Sequence, residues 1–441
     1  MSETTLLIRG GYVLSLDDAV GDLPRGDVLI TADRISAIGV DLDVVADEVI
    51  DATDRLVIPG LIDSHNHLWQ SPLRGLADEC WADEYFGAVH PTSGRFDADD
   101  MYTATYASAV DMLAVGVTTT FDFCHSVNSL RHADASIAAL QAAGLRAIFG
   151  YSFRDRPEVA RRSFHGLDDR IADVSRVHAD MSKTNSLVQL GIALNNIEQV
   201  EPAVNARELA AARELGVPVT VHSNYADQVR QLHHAGLLGP DLQWVHACKI
   251  SDDELAMLAG EGGTISATPD SEIGMSGLYP ATGRAVRHGV PVALGIDIQS
   301  ALSNDMFRVL RLTFELERMR EGQLDWLGGR HPERRPGVPS LSARDVLRLG
   351  TIDGARALGL GAVTGSLTVG KQADVLVLST GRFGLGYGDP AAHVVVRSGA
   401  EDVDTVIVAG QVRVRAGQLV DVDLAELRDS LAKVGARVTG R

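Results

Sequence analysis

Two histidines one residue apart, His65 and His67, are the residues of this 441-residue chain best suited to chemistry. They follow the apolar run 56–62, which has the composition of a buried strand interrupted by Pro59 and Gly60. On extended backbone, side chains at positions i and i+2 point to the same side. Two imidazoles on one side of a strand end form half of a metal site.

Three later apolar runs also end in a residue that can bind a metal. His222 ends the run 217–222, His246 ends 242–246 and Asp297 ends 290–297. Each residue alone also fits a capped strand end, but the five residues together favour one shared site. Histidine nitrogens with a carboxylate suit zinc and also ferrous iron. A metal held this way activates a water molecule, from which Asp297 is placed to accept a proton.

The elements that must position these residues alternate between strand and helix. Eight apolar strands separated by helical segments lie between residues 56 and 297, which predicts a (β/α)₈ TIM barrel with its site at the carboxyl ends of the strands. Short Val-rich strands at both ends of the chain predict a small β-sandwich-like domain built from both termini. The predicted bounds are 1–57 and 362–441 for this domain and 58–361 for the barrel.

Composition restricts the class of partner. The formal net charge is −19, which argues against nucleic acid and anionic membrane as main partners. No apolar run reaches the roughly 20 residues of a membrane span. The three cysteines form no CxxC pair, and the N-terminus lacks a basic signal region. We expect a cytoplasmic enzyme for a small-molecule substrate, assembled as a homo-oligomer.

The stretches 58–67 and 365–377, with the histidines and Asp297 on successive strands, resemble the amidohydrolase superfamily over nearly the whole chain. The stretch 67–78 is similar to the branch of cytosine and guanine deaminases and triazine hydrolases. The resemblance implies one divalent metal, zinc in the first place and iron as the alternative. The implied ligands are His65, His67, His222 and Asp297.

The resemblance also implies roles for residues around the metal. His246 would bind the metal weakly or hold the attacking water or the substrate, and Gln70 would contact the substrate. Binuclear members carry a modified lysine at the end of the fourth strand, and the segment 187–198 contains no lysine. Four aromatic residues after the first strand form either a pocket wall for a planar substrate or a hydrophobic anchor for a long loop: Trp69, Trp81, Tyr85 and Phe86.

One position departs from the deaminase pattern. Deaminases of this branch carry a glutamate three residues after the fifth-strand histidine, and this chain has Tyr225 there. A phenol with a pKa near 10 is a poorer proton shuttle at neutral pH, which leaves Tyr225 to contact the substrate. Asp270 and Glu272, after the seventh strand, are the candidates to take over acid–base work. The alternative is that they cap the next helix or bind an arginine.

These observations predict a metal-dependent hydrolase that acts on a C–N or similar polar bond of a small cyclic or heteroaromatic compound through metal-activated water. A lyase such as a decarboxylase on the same scaffold is the second interpretation, since it has no leaving nitrogen to protonate. A non-catalytic relative is the third, although such relatives usually lose the metal ligands that this chain keeps.

Overall fold

The computed structural model describes residues 4–154, 163–333 and 340–441. By their internal contacts the described residues divide into two compact units. The terminal unit comprises 4–62, 112–118 and 305–420, and the barrel unit comprises 63–111, 119–304 and 421–441.

Five strands precede the barrel: β1 (Thr5–Leu14), β2 (Asp22–Thr31), β3 (Arg34–Gly39), β4 (Glu48–Asp51) and β5 (Arg55–Pro59). The eight barrel strands follow: β6 (Leu61–Asn66), β7 (Val117–Cys124), β8 (Arg146–Ser152), β9 (Val188–Ala193), β10 (Val219–Ser223), β11 (Leu242–His246), β12 (Thr264–Ala267) and β13 (Val292–Leu294). Four strands end the series: β14 (Val375–Ser379), β15 (Val403–Val408), β16 (Gln411–Arg415) and β17 (Gln418–Leu419).

Fourteen α-helices lie in the described residues, most of them between barrel strands. They are α1 (Ala82–Val89), α2 (Ala98–Ala114), α3 (Leu130–Ala143), α4 (Leu167–Met181), α5 (Pro202–Leu215), α6 (Gln228–His234), α7 (Asp252–Glu261), α8 (Pro269–Gly274), α9 (Thr282–Arg287), α10 (Met306–Leu327), α11 (Ala343–Leu349), α12 (Ile352–Ala357), α13 (Pro390–Arg397) and α14 (Leu424–Thr439). None of these helices is long and apolar enough to span a membrane.

Strands from both ends of the chain form one nine-stranded sheet in the terminal unit. Its order is β17-β16-β15-β14-β5-β1-β2-β3, with β4 paired to β1. The central pair is antiparallel, with Val57 opposite Val377. Alternate residues of these strands face a common core that includes Ile8, Val28 and Ile407. The predicted domain built from both termini is thereby confirmed as a sheet, while its exact residue bounds stay a prediction.

The barrel sheet runs β6 to β13 in chain order, and the six pairings from β7 to β13 are parallel, which confirms the predicted (β/α)₈ class. The sheet closes where Asp297 N donates to His65 O and His67 N donates to Asp297 O, both at 2.9 Å. Gly295 permits this closure, because a Cβ there would stand 3.0 Å from the backbone of His65. Ring closure brings the first and last strands, and the ligands they carry, side by side.

The apolar run 56–62, predicted as one interrupted strand, belongs to two strands in different sheets. Arg55–Pro59 pairs with β14, and the barrel strand is Leu61–Asn66. Gly60 lies between the two strands, where an added Cβ would collide with the side chain of Thr118. Consequently His65 lies within the barrel strand and His67 directly after it.

Candidate metal centre

The five predicted metal-site residues meet at the carboxyl ends of the barrel strands. The donor atoms of His65, His67 and His222 lie within 4.8 Å of one another, and so do those of His65, His246 and Asp297. Asp297 Oδ1 is 3.4 Å from His65 Nε2 and 3.5 Å from His67 Nε2. The structure therefore assembles four imidazoles and one carboxylate from four separate strand ends.

The donors are in the protonation states that a divalent cation requires. Burial lowers the pKa of His67 to about 3, so its imidazole is neutral. Burial alone would raise the pKa of Asp297, but His65 and the neighbouring histidines lower it below its usual range, so the carboxylate is ionised. Metal ligands must be deprotonated in this way before they bind.

His65 gives the strongest sign that the site fits a metal. It is fully buried, its Nδ1 has no hydrogen-bond partner within the described part of the chain, and its Nε2 has only Asp297 Oδ1 nearby, at 3.4 Å. An unpaired buried polar group costs about 1–3 kcal/mol. Coordination of a cation by the ring would remove that cost, and the chemistry of the donor set suits zinc.

Hydrogen bonds behind the ligands orient two of the rings. His67 Nδ1 donates to the carbonyl oxygen of Phe123 at 2.7 Å, and His222 Nδ1 donates to Asn196 Oδ1 at 3.2 Å. Because Nδ1 carries the proton in both rings, Nε2 is left with its lone pair toward the cluster. Such outer partners fix the tautomer of metal-binding histidines.

Asp63 ties the strands beneath the ligands together. Its carboxylate accepts hydrogen bonds from His65 N at 3.2 Å, Ile296 N at 2.9 Å, Asn66 Nδ2 at 2.8 Å and Thr120 Oγ1 at 3.0 Å. Burial raises its pKa to about 7. These bonds hold the first barrel strand to the segment that carries Asp297.

Glu272 lies beside His246 at the cavity floor. Its side chain is buried, and Oε1 accepts a hydrogen bond from Thr268 N at 2.8 Å and lies 3.7 Å from His246 Nδ1. Oε2 has no hydrogen-bond partner among the described residues. Asp270, on the same helix α8, is buried but does not line the cavity. Of the two predicted acids, the structure brings Glu272 to the site.

The three predicted substrate contacts lie in two different places. Tyr225 lines the cavity at its rim, is 55% exposed, and has Lys249 Nζ 4.9 Å from the centre of its ring. Trp69 and Gln70 are fully buried behind the cavity wall. Gln70 Nε2 donates to the hydroxyl of Tyr85 at 2.7 Å, so it supports a wall residue. A substrate role for these three residues stays a prediction.

The cavity above the cluster has a volume of about 810 Å³ and an aromatic side. Trp81, Tyr85 and Phe86 all line it, which favours the pocket-wall interpretation of the aromatic loop over a mere hydrophobic anchor. Sequence reasoning did not single out Asn196 for the site, although it follows β9 closely. Its position after a predicted strand was the signal that could have found it.

A parallel (β/α)₈ barrel with a His/Asp cluster at its carboxyl end defines the metal-dependent TIM-barrel hydrolases as the class of this protein. The profile of the Amidohydrolase family matches residues 56–413, and the chain belongs to that family. It is an amidohydrolase-type, metal-dependent hydrolase of carbon–nitrogen bonds other than peptide bonds.

Curated relatives align along the full chain. The 5'-deoxyadenosine deaminase of Methanothermobacter thermautotrophicus is 27% identical over 100% of both chains. The 5-methylthioadenosine/S-adenosylhomocysteine deaminase of Pyrococcus abyssi is 28% identical over 98% of this chain and 99% of the relative.

Solved structures share the fold. An adenosine deaminase from Xanthomonas campestris with bound zinc superposes with a TM-score of 0.87 at 23% identity, covering 99% of each chain. A mutant atrazine chlorohydrolase from Arthrobacter aurescens, complexed with zinc and atraton, gives 0.83 at 22% identity over 98% of this chain and 100% of its own.

Proposed function

We propose that the protein is a zinc-dependent deaminase that releases ammonia from an amino-substituted heteroaromatic ring, with adenosine-type nucleosides as the first candidates. The observation that carries this proposal is the buried carboxyl of Glu272 against His246, at the floor of a cavity with an aromatic wall. Full-length relatives named as deaminases of adenosine derivatives support the substrate class.

In this proposal the metal would be held by His65, His67, His222 and Asp297. When bound, a divalent metal supplies a water molecule of lowered pKa. Asp297 accepts a proton from the attacking water, since its carboxylate is ionised and close to the donor set. The aromatic wall of Trp81, Tyr85 and Phe86 matches the flat face of a heterocycle.

Glu272 and His246 together would protonate the departing amine. Glu272 Oε1 lies 3.7 Å from His246 Nδ1, and the hydroxyl of Thr268 bridges them, at 2.7 Å from Nδ1 and 3.3 Å from Oε1, so a proton can pass between carboxyl and ring through this hydroxyl. The other oxygen, Oε2, has no hydrogen-bond partner among the described residues. The imidazole carries the proton from the buried carboxyl to the reacting centre. This pair would take over the work of the glutamate that Tyr225 replaces.

An ammonia-release assay tests the proposal. Protein loaded with zinc is incubated with adenosine, 5'-deoxyadenosine and 5'-methylthioadenosine, and ammonia and the keto product are quantified. Glu272→Gln should lower kcat about 10²- to 10⁴-fold and leave zinc content unchanged. Glu261→Gln, on the exposed end of α7, is the matched control and should retain wild-type kcat.

If Glu272→Gln and Asp270→Asn both keep near-native kcat on the substrate, the acid–base assignment is wrong. Release of carbon dioxide from a carboxylated heterocycle, with no ammonia released from the amino compounds, would instead support the lyase interpretation. Metal analysis of protein purified without added metal separates zinc from iron.

A second candidate is hydrolytic displacement of a leaving group other than ammonia. The observation that favours it is the exposed phenol of Tyr225 where deaminases carry a carboxyl. A halide departs without being protonated, so its loss needs no shuttle at that position. Chloride release from chloro-substituted triazines or purines, without ammonia release from the amino compounds, would select this candidate.

We also infer a homo-oligomeric assembly, a dimer or larger. Its support is a group of exposed apolar side chains on α10 in the terminal unit, namely Met319, Leu324, Trp326 and Leu327. Light scattering coupled to size-exclusion chromatography measures the mass directly, and a monomer at micromolar concentration would contradict the inference. The cytoplasmic location stays a prediction.

A further inference from the structure

His125 is a histidine of the cavity that the proposed chemistry leaves without a role. It follows β7, is only 4% exposed and lines the cavity. Its ring centre lies 4.3 Å from that of His67, and its plane is 8° from that of His222 at 5.7 Å. It belongs to neither donor cluster found among the described residues. His125 therefore lies beside the predicted metal ligands but is not in position to bind the same ion with them.

The side chain of His125 has an unmet hydrogen-bonding capacity. Nδ1 is buried and has no hydrogen-bond partner in the described part of the chain. A neutral imidazole carries one N–H, and an enclosed N–H without an acceptor is rarer in proteins than an enclosed lone pair. The proton is therefore expected on Nε2.

We infer that His125 is a substrate-contacting residue whose Nε2–H donates a hydrogen bond to an acceptor atom of the bound heterocycle. The inference rests on the proposed function and narrows its substrate class to rings with an acceptor nitrogen or carbonyl oxygen on the side of β7. With Nδ1 enclosed and the proton on Nε2, the Nε2–H of this cavity-lining ring is the donor left for a ligand, and an acceptor atom of the heterocycle would be its partner.

A neutral imidazole at this position also helps the reaction. When water adds to the ring carbon, negative charge builds up on the ring nitrogens, and a fixed donor stabilises it. The proton stays on Nε2 throughout, so His125 forms and breaks no covalent bond. Neutral imidazoles serve as such hydrogen-bond donors in other enzymes.

The test compares adenosine with its 1-deaza, 3-deaza and 7-deaza analogues, in which one ring nitrogen at a time is replaced by a carbon. Binding is measured by calorimetry to wild type, His125→Phe and His125→Gln, each carrying Glu272→Gln so that adenosine is not consumed. With Glu272 intact, kcat/KM is measured for the 3-deaza and 7-deaza compounds. Phenylalanine keeps the ring and removes the donor, whereas glutamine keeps a donor. His234→Phe, an exposed histidine on α6, is the matched control.

We expect one of the three analogues to bind wild type and His234→Phe about 3- to 10-fold more weakly than adenosine. In His125→Phe that same analogue and adenosine should bind equally, and His125→Gln should restore part of the difference. The zinc content should be the same in all four proteins, which separates contact with substrate from damage to the metal centre.

Two outcomes overturn the inference. One is an analogue penalty that persists unchanged in His125→Phe, and the other is wild-type binding that does not distinguish adenosine from any analogue. If one analogue binds more weakly than adenosine to wild type but not to His125→Phe, and no ammonia is released from adenosine, the inference holds and the proposed deamination fails. If ammonia is released and the penalty persists in His125→Phe, only the inference fails.

Discussion

At the scale of single residues, the site depends on which nitrogen of each imidazole carries its proton. For His222 that choice is made by Asn196, whose Oδ1 accepts from Nδ1 at 3.2 Å. Asn196 Nδ2 in turn donates to Glu198 Oε1 at 3.2 Å, which holds the amide in the orientation that presents its oxygen. The amide thus acts on the metal through the ligand it positions.

Asn196→Leu should weaken zinc affinity about 10- to 100-fold, because the tautomer of His222 is no longer set. Asn196→Asp, which keeps an acceptor at the same place, should retain most of that affinity. Competition with a chromogenic chelator measures both. Equal zinc affinity in wild type and Asn196→Leu would show that the amide does not position the ligand.

At the scale of elements, the barrel strand ends could be predicted, whereas the loops between them could not. His222, His246 and Asp297 each end an apolar run, so the sequence pattern placed them correctly at one rim. Glu272 and Asp270 are two positions apart on α8, so their side chains point in different directions. Glu272 lies beside His246, whereas Asp270 does not line the cavity. The sequence alone does not show which of the two directions faces the site. The apolar run 56–62 looks like one strand because apolar composition does not tell which sheet a strand joins.

Helix α5 carries a buried acid that makes stability depend on pH. Glu208 accepts hydrogen bonds from Asn195 N and Asn205 Nδ2 at 3.2 and 3.1 Å, and burial raises its pKa to about 7. An acid whose pKa is raised on folding costs no stability below its unfolded pKa. The folded protein loses stability progressively as pH rises from about 4.5 to about 7, since Glu208 ionises at a lower pH in the unfolded chain than in the folded one.

Glu208→Gln removes this dependence, because the amide resembles the protonated acid. Relative to wild type, the variant should gain up to about 3 kcal/mol in unfolding free energy between pH 4.5 and pH 8. Urea unfolding at the two pH values measures the change. A difference between variant and wild type that is the same at both pH values would refute the assignment.

At the scale of the whole molecule, the terminal sheet and the barrel have different structural roles. The terminal sheet pairs residues separated by more than 300 positions, such as Val57 and Val377, and gives both chain ends a common core. The barrel provides the rim on which the ligands sit. The short strands of the terminal sheet and the alternating strands and helices of the barrel could both be predicted from the sequence. The register that pairs β5 with β14 could not, because it depends on packing between residues far apart in the chain.

A bound metal should stabilise the whole barrel unit by mass action, since it binds the folded cluster and not the unfolded chain. Removal of the metal with a chelator should therefore lower Tm and leave far-UV circular dichroism at 20 °C nearly unchanged. Restoring one equivalent of zinc should return Tm to its starting value. A Tm that is indifferent to chelator and zinc would mean that no metal holds these side chains.

The central claim is a single metal ion in the cluster of His65, His67, His222 and Asp297. Its most direct measurement is the metal-to-protein ratio of purified wild type and His65→Ala by inductively coupled plasma mass spectrometry, with circular dichroism to confirm the fold. We expect about one zinc or iron per chain in the wild type, and loss of that metal together with activity in a folded His65→Ala. No divalent metal in the wild type, or two ions per chain, would contradict the claim.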